Sequence, residues 1–165
     1  MRLAPVLNIL GLLTTMLAAA MLIPMAIDLY FGSDDWQVFA VSALLTAFVG
    51  VAVWLSTSQR ETFDLGLKQA FLLTNGSWLL IGVFGSFPFM FCELALSPTD
   101  AIFESVSGIT TTGSTVLENI EAASHGILIW RALLQWLGGV GIVVMAMAVL
   151  PMLSVGGMQL FRTES

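Results

Sequence analysis

Thr110-Thr111-Thr112-Gly113 is the stretch of this chain whose residue types are best suited to binding a bare ion. Three threonines in a row disfavour a helix, and the glycine can adopt backbone angles that a β-carbon forbids. Backbone carbonyls in such a segment can replace a cation's hydration shell, as they do in the filters of ion channels. The residues therefore predict a cation filter over residues 109–114, the candidate filter, with oxygens of the three threonines as ligands. The alternative is a buried loop that plugs the protein, with the threonine hydroxyls satisfied locally.

The residues before the candidate filter predict a helix too short to cross a membrane. Ser97 is suited to cap a helix, Pro98 to be its first residue, and Asp100 places an acid in its first turn. Gly108 offers an end, so the predicted half-helix covers residues 98–108 and is about 16 Å long. The hydrocarbon core of a bilayer is about 30 Å thick, so the half-helix would enter partway and the chain would return through the candidate filter. Its C-terminal end, with a partial charge of about −0.5, would face mid-membrane and favour a cation.

The composition places the chain in a membrane. Of its 165 residues, 58% are hydrophobic and 10% are charged, and the mean hydropathy is +0.95, which is not typical of a soluble domain. The net charge of −6 leaves no basic patch to neutralise phosphates, which argues against nucleic acid as a partner. The single cysteine, Cys92, excludes an intrachain disulfide and a CxxC metal site. No covalent cofactor is indicated.

Four apolar segments are long enough to cross the bilayer, which predicts an all-α polytopic membrane protein. They cover residues 4–29, 36–56, 69–91 and 127–155. Pro24 is expected to kink the first segment. This first apolar run is longer than the core of a secretory signal, so it is interpreted as a retained span.

Basic and acidic residues fall on opposite sides of this arrangement. If all four segments cross and the half-helix re-enters, one side holds four basic residues: Arg2, Arg60, Lys68 and Arg162. The other side holds six acidic residues: Asp28, Asp34, Asp35, Glu93, Glu118 and Glu121. Because loops on the cytoplasmic side carry the excess of Lys and Arg, both termini are predicted to be cytoplasmic. Arg131, near the outer end of the last segment, is the exception.

Two longer stretches resemble a known family. Residues 103–113 read FESVSGITTTG, and residues 134–141 read LQWLGGVG, followed by LP at 150–151 and VGGMQL at 155–160. Together they resemble the first pore loop and the second pore-flanking helix of the TrkH/TrkG potassium-uptake proteins. The resemblance spans essentially the whole chain. It implies an N-terminal pair of transmembrane helices in residues 1–67 and the first helix–pore loop–helix repeat of a potassium-channel-like fold in residues 68–165.

The resemblance also implies a function and a set of ion ligands. Four such repeats surround one filter in the family, each contributing one loop. Thr111 and Thr112 would supply oxygens that coordinate K⁺, flanked by Thr110 and Gly113. The implied function is potassium uptake through a dehydrating filter, with K⁺ as the bound and transported ion. Coupling to H⁺ or Na⁺ stays open.

Partners and a location follow from the same resemblance. The family protein is a homodimer in the lipid of the cell inner membrane, and a cytosolic nucleotide-binding subunit of the TrkA type regulates it. One repeat supplies about a quarter of a four-loop ring, so the candidate filter needs other loops around it. The remaining repeats of the same transporter are favoured for this role, and four converging copies of the chain are the alternative.

Glu104 is a carboxylate within the half-helix, where a charge is costly unless it is paired or near water. It is expected either to lend negative potential behind the candidate filter or to pair with Arg131 of the last span. The sequence leaves both roles open.

Two other classes of function compete with ion transport. An intramembrane enzyme needs a nucleophile–base pair or a set of metal ligands within the spans, and the sequence offers neither. A non-conducting accessory subunit that packs against another membrane protein is the second alternative. Its sign would be a candidate filter lying away from any aqueous path.

Overall fold

All regular structure in the described part of the chain is helical. The computed structural model describes residues 3–58, 66–94, 96–117, 120 and 123–161. The helices are α1 (Ala4–Ala20), α2 (Leu22–Phe31), α3 (Trp36–Thr57), α4 (Leu67–Gly85), α5 (Phe87–Phe91), α6 (Pro98–Ile109) and α7 (His125–Phe161). Within these described ranges, four spans are long and apolar enough to cross a membrane: Ala4–Phe31, Trp36–Thr57, Lys68–Phe91 and His125–Val143. The first three spans match the apolar segments of the sequence, whereas the fourth, predicted over residues 127–155, qualifies over His125–Val143.

Two of the spans are broken by proline. Pro24 has no N–H to donate to the carbonyl of Ala20, and α1 ends at Ala20 before α2 resumes at Leu22. Pro88 likewise has no N–H for the carbonyl four residues earlier, and α4 gives way to α5 at Ser86. The expected kink at Pro24 is therefore present as a break in the helix.

The first two spans, α1–α2 and α3, form a closely packed unit called here the leading pair. A β-carbon at Gly11 would lie 2.6 Å from the backbone nitrogen of Trp54, and one at Gly50 would lie 2.7 Å from that of Thr15. Asn8 adds a hydrogen bond from Nδ2 to the carbonyl of Trp54 at 3.0 Å. Glycines at the crossing thus allow the two backbones to approach within van der Waals contact.

The short helix α6 packs between α4 and α7. A β-carbon at Gly82 would lie 3.1 Å from Val106, and one at Gly85 would lie 2.6 Å from the Ser105 hydroxyl. Trp130 of α7 is fully buried and donates from Nε1 to the carbonyl of Gly85 at 2.9 Å. These contacts fix α6, and with it the start of the candidate filter, against the two long helices beside it.

The turn between α2 and α3, inside the leading pair, is more ordered than a cluster of solvated acids. Asp35 is 4% exposed, and its Oδ1 accepts the backbone N–H of Glu93 at 3.1 Å. Asp28, predicted with the outer acidic residues, lies within α2 and is fully buried. Asp34 alone of these three aspartates is exposed.

Candidate ion-binding site

The helix α6 begins as the sequence predicts. Ser97 Oγ accepts the backbone N–H of Asp100 at 3.2 Å, and Pro98 is the first helical residue. The helix has 12 residues, so it is about 18 Å long and shorter than the hydrocarbon core. Its end lies one residue beyond the predicted stop, because Gly108 is used for packing. A β-carbon at Gly108 would lie 3.0 Å from Cβ of Leu134.

The backbone turns sharply out of α6 at Thr111. Its φ is +59°, and it is the one non-glycine residue with positive φ in the described part of the chain. The Thr111 N–H donates to the carbonyl of Gly108 at 2.9 Å, and the Thr112 N–H donates to that of Ser107 at 3.0 Å. This pair of bonds is the Schellman pattern that closes a helix. The left-handed conformation costs about 1–2 kcal/mol for a residue other than glycine, so the turn holds a strained threonine.

The hydrogen bonds of the turn leave one kind of backbone group free. The N–H groups of Thr110 and Gly113 also donate back into α6, to the carbonyls of Val106 at 2.9 Å and Ser107 at 3.3 Å. The carbonyls from Thr110 to Gly113 accept no hydrogen bond from any described residue. The four residues of the predicted site are thus brought into one turn, with their donors used and their acceptors available.

The threonine hydroxyls are partly satisfied within the turn. Thr110 Oγ1 donates to the carbonyl of Val106 at 2.7 Å and lies 2.9 Å from Thr112 Oγ1. Local satisfaction of hydroxyls is what the plug alternative predicts. Hydrogen bonds within the turn thus occupy these two hydroxyls, whereas the carbonyls from Thr110 to Gly113 accept none from any described residue. The backbone carbonyls are therefore the better candidate ligands.

Glu104 anchors the two residues that follow the candidate filter, Thr115 and Val116. It is 1% exposed, and its Oε1 accepts the Thr115 hydroxyl at 2.5 Å and the Val116 N–H at 2.6 Å. Its Oε2 lies 3.0 Å from Nε of Arg131 without hydrogen-bond alignment, so the attraction there is Coulombic. Of the two roles that the sequence leaves open for Glu104, the pairing with Arg131 is present. The anchoring of Thr115 and Val116 was not predicted, because residue type gives no sign of it.

The long helix α7 packs directly on the end of α6. A β-carbon at Gly138 would collide with the carbonyl oxygen of Ile109, the last residue of α6. One turn earlier, Gln135 Nε2 lies 3.6 Å from the place of a β-carbon on Gly113. The helix α7 therefore packs tightly on the residue before the turn and lies beside the residue that ends it.

Replacing Gly138 with alanine should displace α6 from α7, because the added methyl group collides with backbone rather than with a flexible side chain. We expect a loss of about 1–3 kcal/mol, the usual cost of overpacking. The measurement is the midpoint of thermal unfolding of the complete transporter in detergent.

Gly141→Ala is the matched control on the same helix, since no atom lies within 4 Å of its added β-carbon. It should leave the midpoint unchanged or raise it, because alanine favours a helix over glycine by about 1 kcal/mol. Equal midpoints for both variants would show that the contact between Gly138 and Ile109 is loose.

Side chains offer no second ion site of the usual kind. Within the described ranges, no group of three or more His, Cys, Asp or Glu residues is placed to hold a metal ion. His125 instead stacks on Phe31, with ring centroids 4.1 Å apart.

The chain is similar to several Trk system potassium uptake proteins. The Trk system potassium uptake protein TrkH of Halomonas elongata is 46% identical over 165 residues, which cover 99% of this chain and 34% of that protein. TrkH of Salmonella typhimurium is 39% identical over 158 residues, which cover 95% of this chain and 32% of that protein. The chain thus spans about a third of the length of the curated relatives it matches. By name these relatives are uptake proteins, which are transporters and not enzymes.

A solved structure agrees with these relatives. The potassium transporter TrkH from Vibrio parahaemolyticus has a TM-score of 0.87 and 35% identity, over 95% of this chain and 34% of that one. The resemblance drawn from the two sequence stretches is confirmed, as is the all-α membrane fold. A family model described as TrkH, cation transport protein, matches residues 35–165. The chain belongs to the TrkH family of cation transport proteins.

Proposed function

We propose that this chain supplies one quarter of a potassium-selective filter in an uptake transporter. The observation that carries the proposal is the turn after α6, where the carbonyls from Thr110 to Gly113 accept no hydrogen bond from the described residues. Each N–H of these four residues donates back into the helix. A set of free carbonyls on a fixed turn can replace the water around a dehydrated cation. Thr111 and Thr112 are the central ligands of the proposal, and Thr110 and Gly113 flank them.

The charge around the turn favours a cation. The C-terminal end of α6 carries about −0.5 of an elementary charge, which attracts a cation and repels an anion. The negative charge of Glu104 is neutralised by Arg131, whose Nε lies 3.0 Å from Oε2. Glu104 therefore adds little to the potential at the turn, and its main role is to accept hydrogen bonds from residues 115 and 116. Selection among cations then depends on carbonyls whose positions are set by the Schellman bonds and by α7.

The filter needs loops from outside this chain. Residues 111–116 are exposed here, and unsatisfied backbone at membrane depth costs several kcal/mol per group. We assign this covering role to the remaining repeats of the same transporter, in keeping with relatives about three times as long as this chain. A homodimer and a cytosolic nucleotide-binding subunit of the TrkA type are the further partners that membership of the family suggests.

The proposed setting is the inner membrane, with both termini cytoplasmic and α6 re-entering from the outer side. Residues 1–67 form the N-terminal pair in this proposal, and residues 68–165 form the first repeat. Of the four basic residues on which the orientation depends, Arg2, Arg60 and Arg162 lie outside the described residues. Lys68 lies in the first turn of α4, at the proposed cytoplasmic end.

Thiol labelling tests this orientation. Cys92 is buried and is a poor reporter, so single cysteines at the exposed positions Glu93 and Ser58 are introduced with Cys92→Ala. A membrane-impermeant maleimide should label Glu93→Cys in intact spheroplasts and leave Ser58→Cys unlabelled. Both should react once the membrane is permeabilised, and the reverse pattern in intact spheroplasts would invert the proposed topology.

Transplantation tests the function. Residues 1–165 replace the matching third of Halomonas elongata TrkH, and this chimera is expressed in cells that lack potassium uptake. We expect growth at low K⁺ and K⁺ uptake above that of vector alone. Normal membrane abundance without uptake would contradict the proposal. Uptake that persists unchanged when residues 110–113 are all replaced by alanine would favour the accessory-subunit alternative.

A further inference from the structure

Asp28 is a fully buried carboxylate that the candidate filter does not explain. It lies in α2, near the end of the first span. Its Oδ1 accepts the backbone N–H of Gly126 at 2.7 Å, and its Oδ2 accepts the Ser124 hydroxyl at 3.1 Å. Both partners stand at the start of α7, and Gly126 is 98 residues further along the chain. A buried acid in a membrane span is costly, so one kept there calls for a role.

The hydrogen bonds of Asp28 cap α7 from a different helix. The first N–H groups of a helix have no partner within it, and that end carries about +0.5 of a charge. Ser124 Oγ accepts the N–H of Ile127 at 3.3 Å, and Asp28 takes that of Gly126. Glycine is required at position 126 because a β-carbon there would collide with Asp28 Oδ2 and lie 2.8 Å from Phe39.

Aromatic contacts reinforce this junction between the leading pair and α7. The rings of Phe31 and His125 are stacked, with centroids 4.1 Å apart and planes 8° from parallel. Phe39 and Trp130 meet edge to face at 6.4 Å, and both are fully buried. The start of α7 is therefore held by a polar cap and by two ring contacts, all made with the leading pair.

The same helix then passes beside the candidate filter. Arg131 faces Glu104 at 3.0 Å, one and a half turns into α7. Gly138, about 18 Å along the helix from Gly126, lies against the carbonyl of Ile109. Because a helix is a stiff element, a shift or tilt at its start is carried to both of these contacts.

We propose that Asp28 is a positioning residue for ion selection. By capping α7 from the leading pair, it sets the height and tilt of that helix and, through the helix, the backbone of the candidate filter. The leading pair then stabilises the position of the candidate filter, in addition to anchoring the chain in the membrane. This inference rests on the proposed function, since it assigns Asp28 a part in selecting the same ion.

The test compares Asp28→Ala, Asp28→Asn and Asp34→Ala in the Halomonas elongata chimera. Asp34 belongs to the same acidic stretch and is exposed, which makes it the matched control. The readouts are the KM for K⁺ and the ratio of K⁺ to Na⁺ uptake, each taken per folded transporter in the membrane. We expect Asp28→Ala to raise the KM and to lower the ratio by about three- to tenfold, the range that a lost hydrogen bond spans.

The other variants separate positioning from mere stability. Asp28→Asn should stay near the unsubstituted chimera, because an amide oxygen can still accept the N–H of Gly126. Asp34→Ala should change neither readout. If Asp28→Ala fails to fold, Ser124→Ala, which removes only the bond to Oδ2 and the cap on Ile127, should shift both readouts in the same direction by about two- to threefold.

Three results would overturn the inference: an unchanged KM and ratio in Asp28→Ala at normal abundance, an Asp28→Asn variant as impaired as Asp28→Ala, or an unfolded Asp28→Ala together with a Ser124→Ala variant that selects normally. The unsubstituted chimera tests the proposed function separately. If it takes up K⁺ selectively while the Asp28 variants show no effect, the inference fails and the proposed function stands.

Discussion

Replacing Gly113 with alanine should lower the preference for K⁺ over Na⁺ by about tenfold, equivalent to about 1.4 kcal/mol, with little loss of protein from the membrane. Gly113 has a φ of +76°, and a residue with a β-carbon strains in that region by about 1–2 kcal/mol. Space is not the obstacle, since the added β-carbon would lie 3.6 Å from Gln135 Nε2, an ordinary contact. The backbone is expected to rotate instead, and the peptide between Thr112 and Gly113 rotates with it.

The measurement is K⁺ and Na⁺ uptake by the chimera at equal transporter abundance. Gly32→Ala is the matched control: Gly32 also has positive φ, +71°, and no atom lies within 4 Å of its added β-carbon. It carries the same backbone strain at the end of α2, away from the candidate filter. A similar fall in selectivity for both variants, or none for Gly113→Ala, would show that strain at the filter does not set selection.

Glu104→Gln should destabilise the transporter by about 3–5 kcal/mol, the usual effect of removing one partner of a buried ion pair. The substitution leaves Arg131, whose side chain is 15% exposed, without its counter-charge. It also exchanges a charged acceptor for a neutral one at the hydroxyl of Thr115 and the N–H of Val116. We expect a large drop in the unfolding midpoint and, in the fraction that folds, poorer selection for K⁺.

Two further variants measure the interaction between Glu104 and Arg131 separately from other effects. Glu93→Gln changes an exposed carboxylate and should alter stability by less than about 0.5 kcal/mol. Adding Arg131→Gln to Glu104→Gln removes the uncompensated charge, so the double variant should lose less than the sum of the two single losses. Strictly additive losses would mean that Glu104 and Arg131 do not interact.

The start of α6 could be predicted from the sequence because its determinants are local. The hydroxyl of Ser97, the ring of Pro98 and the carboxyl of Asp100 all act within one turn. The end of α6 depends on tertiary packing. Gly108 has the appearance of a helix stop, but it lies inside the helix because Leu134 occupies the space beside it.

The conformation of Thr111 could not be predicted from residue type. β-Branched residues avoid positive φ, and here Thr111 takes it in a turn closed by hydrogen bonds to the carbonyls of Ser107 and Gly108. Positive φ at Gly113 could be predicted, because glycine is the usual residue where φ is positive. The strained residue, Thr111, thus lies two positions before Gly113, the residue at which the sequence predicts positive φ.

Asp28 shows a different limit of sequence reasoning. It stands near Asp34 and Asp35, and a run of acids beside a short turn is most often solvated. Its hydrogen-bond partners, Ser124 and Gly126, are separated from it by nearly a hundred residues and cannot be inferred from spacing. The fold alone brings them together.

Anomalous scattering from Rb⁺ in crystals of the complete transporter tests the central claim most directly. Rb⁺ is the probe because it resembles K⁺ in charge and coordination and can be located without assuming its ligands. We predict a peak coordinated by the carbonyl oxygens of Thr111 and Thr112, together with oxygens from the other repeats. A peak bound elsewhere in the transporter, with these carbonyls hydrogen-bonded to protein, would contradict the assignment of residues 109–114 as a filter.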